Sequence, residues 1–161
     1  NDAFADGLAS YDFFAGIDYI DKERIGLCGA SLGAAIAAMI SAQRAVKSLV
    51  LRVPATYTDQ IMRMTFKQIM DDEGQIFQEL TNVSDTPSLR AIKQFNGSLL
   101  IITSEHDDVI PVTIPTQYFT QAEATAKKES FEIQGATHNL TDDNWRQQFI
   151  EKTIQWFVDT L

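Results

Sequence analysis

The sequence predicts an α/β fold in which a predominantly parallel sheet is flanked by helices. Short apolar runs, each about as long as a buried strand, recur along the chain, and segments with apolar residues at helical spacing separate them. Strands that alternate with helices favour parallel pairing through crossover connections. The 161 residues are enough for one hydrophobic core, so we expect a single domain over residues 1–161.

The individual elements follow from the spacing of the apolar residues. Phe4, Leu8 and Tyr11 recur at helical intervals and predict a first helix, and a polar turn separates it from the first strand. Small residues such as Ala34 and Ala38 predict a second helix that packs closely on the sheet. In chain order, the predicted elements are a helix at residues 3–20, a strand at 25–28, a helix at 31–45, strands at 47–53 and 98–103, a helix at 115–127, a strand at 128–133 and a helix at 144–161.

Residues 55–96 interrupt the alternation of strands and helices. Apolar residues such as Ile61, Met62, Phe66 and Ile69 follow one another there at roughly helical intervals. This segment therefore predicts a small helical insertion between two strands of the sheet.

The strongest chemical signal is Gly-x-Ser-x-Gly at residues 29–33, between the first predicted strand and an alanine-rich helix. A serine on such a strand-to-helix turn is held in a strained conformation with its hydroxyl exposed. Larger side chains two positions away would collide with the turn, which explains Gly29 and Gly33. The alternative is a purely structural role, in which Ser31 only caps the following helix.

An acid and a histidine follow two later strands. Asp107 and Asp108 come after the strand predicted at residues 98–103, and His138 comes after the strand predicted at residues 128–133. Open α/β sheets bind their ligands at the carboxyl ends of the strands, so these side chains are expected near Ser31. The order along the chain is serine, aspartate, histidine.

With these three motifs in this order, the sequence resembles the α/β-hydrolase family from about residue 12 to residue 161. The resemblance implies that Ser31 is the nucleophile and His138 the general base. It implies that Asp107 orients His138, and that the backbone N–H of Leu32 donates to the oxyanion.

The resemblance also favours one of two adjacent acids. The acid of the family usually stands four residues before a proline, and Asp107 stands at that distance from Pro111. Asp108 is then interpreted as a loop residue, although the residues alone leave both open. Arg52 and Tyr57, near the end of the second predicted strand, are candidate pocket residues, with packing or pairing as the equal alternative.

Two features of the family are missing from these residues. No loop before the serine strand can donate the second oxyanion hydrogen bond, and the strands that usually precede the serine strand are absent. We therefore expect the chain to be the C-terminal part of a longer protein, rather than a natural short form. The predicted strand at residues 25–28 would then be an exposed apolar edge, which invites a homodimer through the sheet. The family also suggests that the insertion at residues 55–96 caps the site.

Composition excludes several other classes of function. The net charge of −9 disfavours nucleic acid and anionic membranes as partners, because both require clustered Lys and Arg. No apolar run reaches the length of a transmembrane helix. The one cysteine, Cys28, precludes an intrachain disulfide, is consistent with a reducing compartment such as the cytoplasm, and is interpreted as a small buried thiol.

The predicted function is that of a serine hydrolase acting on a small-molecule ester or thioester through an acyl-enzyme, with no metal and no organic cofactor. A peptidase or an acyltransferase on the same triad remains open. A binding or scaffold protein that retains the fold without catalysis also remains open, and the missing second oxyanion donor favours it for these 161 residues.

Overall fold

A computed structural model describes residues 2–64 and 84–161 of the chain. Short 3-10 turns lie at Lys22–Arg24 and Ile61–Arg63. Among the residues described, no helix combines the length and the apolarity needed to span a bilayer. The helices are α1 (Asp2–Ala15), α2 (Leu32–Ser41), α3 (Pro87–Gln94), α4 (Thr113–Gln121) and α5 (Asp143–Thr160), and the strands are β1 (Gly26–Ala30), β2 (Ser48–Arg52), β3 (Ser98–His106) and β4 (Lys127–Thr137).

The four strands form one parallel sheet in the order β1-β2-β3-β4, which confirms the predicted α/β class. Each neighbour in the sheet is also the next strand along the chain. The carboxyl ends of all four strands therefore lie along one edge of the sheet. Ser31, Asp107 and His138 each follow the last residue of a strand, and Arg52 is the last residue of β2.

Helices cover both faces of the sheet, which explains why residues 49–51 of β2 and residues 99–102 of β3 are continuous apolar runs. On one face, α2, α3 and α4 pack over Leu49, Leu51 and Ile101. On the other face, Trp156 of α5 packs with Val50 and other inward residues. The helix α1 lies outside this sandwich and packs on α2, with Tyr11 buried against Ile40.

Several predicted elements have different bounds in the structure. The first helix ends at Ala15 instead of residue 20, because Gly16 follows it and its N–H bonds back to Asp12 in a closing turn. The strands predicted to end at residues 103 and 133 continue to His106 and Thr137. They pair with each other beyond the apolar runs, so tertiary pairing rather than composition sets their ends.

The insertion predicted at residues 55–96 is described only at its two ends. At the C-terminal end, α3 packs against α2 and α4, and its residues Leu89 and Ile92 are fully buried in the core. This part belongs to the helical layer on the sheet. The centre of the predicted cap, including Met70, lies outside the described residues.

The strand β1 is the outer strand of the described sheet. Cys28 is exposed there, so its interpretation as a buried thiol is wrong. Its strand neighbour, Val50, is buried on the face that α5 covers. The cover over Val50 therefore does not extend to Cys28 on β1, the edge strand of the described sheet.

Candidate active site

Ser31 occupies a strained turn between β1 and α2. Its φ of 51° and ψ of −119° lie in a region that L-residues rarely adopt. Its N–H donates to the carbonyl of Arg52 at 3.0 Å, and its carbonyl accepts from the N–H of Ala55 at 3.2 Å. These bonds to the end of β2 hold the strained conformation in place.

The two glycines of the motif do different work. A Cβ at Gly29 would lie 2.3 Å from the carbonyl oxygen of Gly33, so no larger residue fits at position 29. A Cβ at Gly33 would meet nothing within 4 Å. The steric collision expected of larger side chains at position 33 therefore does not begin at their Cβ atom. Gly33 instead leaves open space beside the start of α2.

The hydroxyl of Ser31 is not used to cap the helix. Ser31 stands at the N-cap position of α2, yet its side chain makes no capping hydrogen bond. Leu32, whose N–H was predicted to bind the oxyanion, is the first residue of α2. The positive end of the helix dipole thus lies beside the serine, where it stabilises a developing negative charge.

Asp107 is a well-fixed carboxylate in the loop after β3. Its Oδ1 accepts hydrogen bonds from the N–H of Val109 at 3.0 Å and of Ile110 at 2.7 Å. Burial acts most strongly to raise the pKa of Asp107, but the hydrogen bonds from His138, Ile110 and Val109 together lower it below its ordinary value. Asp107 is therefore an ionised acceptor at neutral pH.

His138 lies against that carboxylate. Its Nδ1 is 3.0 Å from Oδ1 and 2.9 Å from Oδ2 of Asp107. Both side chains are largely buried, with exposed fractions of 12% for His138 and 8% for Asp107. An ionised carboxylate can only accept, so Nδ1 carries the proton and Nε2 is left free to take one.

The other predicted residues lie as follows. Asp108, the competing acid, is exposed, and the contacts of His138 go to its neighbour Asp107. Tyr57 is 6% exposed and packs in the core beneath α2. The structure brings Asp107 and His138 into contact and places Ser31 at the same carboxyl-end edge of the sheet. Among the described residues, no hydrogen bond joins Ser31 Oγ to His138.

A metal centre has no support in the part of the chain described. Residues 2–64 and 84–161 contain no group of three or more His, Cys, Asp or Glu side chains that could hold a metal ion.

A model of the prolyl oligopeptidase family matches residues 1–161. The chain belongs to this family. It is 28% identical over 135 residues to an uncharacterized protein of Mycobacterium tuberculosis strain H37Rv, and the match covers 84% of this chain and 45% of that protein. The chain thus spans about half the length of the curated relatives it matches.

Solved structures show the same partial α/β-hydrolase fold. One of the metagenome-derived lipolytic enzymes LipS and LipT is similar with a TM-score of 0.71 at 14% identity, over 97% of this chain and 72% of the other. Dipeptidyl peptidase 4 of Porphyromonas gingivalis is similar with a TM-score of 0.66 at 18% identity, over 98% of this chain and 22% of the other. These likenesses concern the fold alone.

Two residues near the site of this prolyl oligopeptidase family member make contacts that the sequence did not predict. Glu105 accepts a hydrogen bond from the N–H of Gly135 at 2.6 Å and so ties the end of β3 to the end of β4, three residues before His138. Arg52, a candidate pocket residue, is buried and donates to the carbonyl of His138. The sequence signal at Arg52 is a charged residue directly after the apolar run at residues 49–51.

Proposed function

We propose that the chain carries the catalytic triad of a serine hydrolase, with Ser31 as nucleophile, His138 as general base and Asp107 as orienting acid. The proposed reaction is the cleavage of a small-molecule carboxylic ester or thioester. The observation that supports it most is the contact of His138 Nδ1 with both carboxylate oxygens of Asp107, at the sheet edge where Ser31 sits in its strained turn.

Proton transfer follows from the tautomer that Asp107 imposes. The ionised carboxylate keeps the proton on Nδ1, so Nε2 of His138 accepts the proton of the Ser31 hydroxyl. As the imidazolium forms, the negative charge of Asp107 stabilises it. In the Michaelis complex the Ser31 hydroxyl must come within hydrogen-bond reach of Nε2, a contact that often forms fully only with substrate present.

The acyl transfer then proceeds in two balanced steps. Ser31 Oγ attacks the acyl carbon, the carbonyl oxygen becomes an oxyanion, and the N–H of Leu32 together with the dipole of α2 stabilises that charge. His138 returns its proton to the leaving alcohol or thiol, which departs and leaves the acyl-enzyme. Water, deprotonated by His138, attacks the acyl carbon; His138 then gives this proton to the departing Oγ, which releases the acid and regenerates the Ser31 hydroxyl.

A peptide substrate is the second candidate. It is favoured by membership of the prolyl oligopeptidase family and by the likeness to a dipeptidyl peptidase. The triad is the same for esters and amides, so the described residues alone do not choose between them. A panel of p-nitrophenyl esters, acyl thioesters and prolyl amides, assayed under one set of conditions, separates the two by their kcat/KM values.

Fluorophosphonate labelling tests whether Ser31 is an activated nucleophile at all. We expect the chain to be labelled on Ser31, and Ser31→Ala to abolish labelling and turnover while the circular dichroism spectrum is retained. Ser10→Ala is the matched control, because Ser10 is exposed on α1 and bonds only to the carbonyl of Asp6. A folded chain that takes no label supports the non-catalytic binding or scaffold alternative instead.

A further inference from the structure

Arg52 is a buried cation with no carboxylate partner among the described residues. Its side chain is 6% exposed, and none of the ion pairs among residues 2–64 and 84–161 includes it. Its Nη2 donates to the carbonyl of His138 and lies 3.5 Å from Ser104 Oγ, while its Nε has no hydrogen-bond partner. A guanidinium held in this way is costly to bury, so stability alone does not explain it.

The same residue also contacts the serine turn through its backbone. The carbonyl of Arg52 accepts from the N–H of Ser31 at 3.0 Å. The guanidinium and the carbonyl of one residue therefore hold the main chain of His138 and the main chain of Ser31. Burial lowers the pKa of Arg52, and the nearby charge of Asp107 opposes that lowering because it favours the charged guanidinium.

The turn that follows Arg52 is strained and firmly held. Val53 is β-branched, yet its φ is 37°, a conformation that such residues avoid. Its N–H donates to the carbonyl of Ile102 at 2.7 Å, and the hydroxyl of Tyr118 donates to the carbonyl of Ala55 at 2.6 Å. Strain of this kind persists where surrounding contacts enforce it, most often at functional sites.

We propose that Arg52 is a positioning residue that fixes the His138 ring relative to Ser31 for proton transfer. The carboxylate of Asp107 holds the ring at Nδ1, and the guanidinium of Arg52 holds the same residue at its carbonyl. Two anchor points leave the imidazole little freedom to swing away from the serine. This role rests on the proposed triad, in which His138 accepts the proton of Ser31.

The test compares variants of Arg52 with a matched arginine on the surface. Arg52→Met removes the Nη2 donor to the carbonyl of His138, and Arg52→Lys keeps the charge without the fork geometry. Arg90→Met is the control, because Arg90 is exposed and pairs only with Asp59 and Asp85. We expect Arg52→Met to lower kcat on the best ester roughly 10- to 100-fold with KM changed by less than about threefold. Arg52→Lys should recover part of the loss, and Arg90→Met should match the wild type.

Two readouts separate positioning from a general loss of structure. The Nδ1 proton of His138, observed as a downfield NMR signal, should shift or broaden in Arg52→Met and stay in place in Arg90→Met. Free guanidinium at millimolar concentration should restore part of the turnover of Arg52→Ala. If Arg52→Met does not fold, Arg52→Lys alone decides through its kcat and its Nδ1 signal.

The two proposals fail in different ways. A wild type that neither labels nor turns over ester refutes the proposed function, while the NMR comparison still reports whether Arg52 fixes the ring. An active wild type whose Arg52→Lys and folded Arg52→Met variants retain full kcat and an unchanged Nδ1 signal overturns the positioning role and leaves the triad intact.

Discussion

Replacing Asp107 by Asn is the sharpest perturbation of the site, because it removes a charge and almost no volume. Asp107 Oδ1 accepts two backbone hydrogen bonds, from Val109 and Ile110, so the amide oxygen of Asn is expected at that position. The amide nitrogen then replaces Oδ2, which lies 2.9 Å from Nδ1 of His138. Oδ1, 3.0 Å from Nδ1, already accepts those two backbone bonds, so the new amide donor favours the tautomer with the imidazole proton on Nε2, where it blocks transfer from Ser31.

The size of the effect follows from this change of tautomer. Placing the histidine of a triad in the wrong tautomer lowers kcat by roughly 10³- to 10⁴-fold, equivalent to about 4–5.5 kcal/mol in activation free energy. The charged hydrogen bond between His138 and Asp107, whose side chains are only 12% and 8% exposed, is also lost. Its loss should lower the free energy of unfolding by about 1.5–3 kcal/mol.

The assay is hydrolysis of p-nitrophenyl esters, with the adjacent Asp108→Asn as the control. Asp108 is exposed, so its variant should stay within about threefold of the wild type. Urea unfolding of both variants measures the change in stability. The reasoning is refuted if Asp108→Asn loses turnover and Asp107→Asn does not, and the role of the acid then moves to Asp108.

Three further predictions concern stability, acid and assembly. Gly29→Ala should lower the unfolding free energy by about 1–3 kcal/mol, because its Cβ would lie 2.3 Å from the carbonyl oxygen of Gly33. Gly33→Ala should change the unfolding free energy by less than about 1 kcal/mol, and thermal unfolding of the two variants measures the difference. The pKa of Asp107 is lowered in the folded state, so this carboxylate stabilises the fold fully above its unfolded pKa of about 3.9. That stabilisation is lost as the pH falls through the lower pKa of the folded state. The difference in unfolding free energy between the wild type and Asp107→Asn should therefore shrink below about pH 4. We propose that the 161-residue chain self-associates through the open edge of β1 and that Cys28→Lys weakens this association. Sedimentation measures the association. A monodisperse monomer with full ester turnover would contradict the proposal.

The fold could be predicted because its signals are local and repeated. Apolar runs of strand length located all four strands, and helical spacing located the helices between them. The strand ends were less predictable. Glu105 and His106 are polar, yet they continue β3, because β4 pairs with that strand as far as Thr137. Pairing between distant segments leaves no periodic pattern in either one.

The site shows the same division between local and distant causes. The turn at Ser31 was predictable because the geometry of the turn demands glycine at position 29, and that demand is visible in five consecutive residues. The positive φ of Val53 was not, because β-branched residues ordinarily avoid that region and only the contacts of Ile102 and Tyr118 enforce it.

Arg52, named from the sequence only as a candidate pocket residue, illustrates why the contacts of such a residue are hard to predict. Its side chain reaches a residue 86 positions away, and its backbone reaches the serine turn, so neither contact has a sequence spacing of its own. What the sequence does carry is a conflict: a cation directly follows the apolar run at residues 49–51 in a buried strand. Natural sequences retain such conflicts where function requires them, so an isolated charge at the carboxyl end of a buried parallel strand is itself a signal of a functional site.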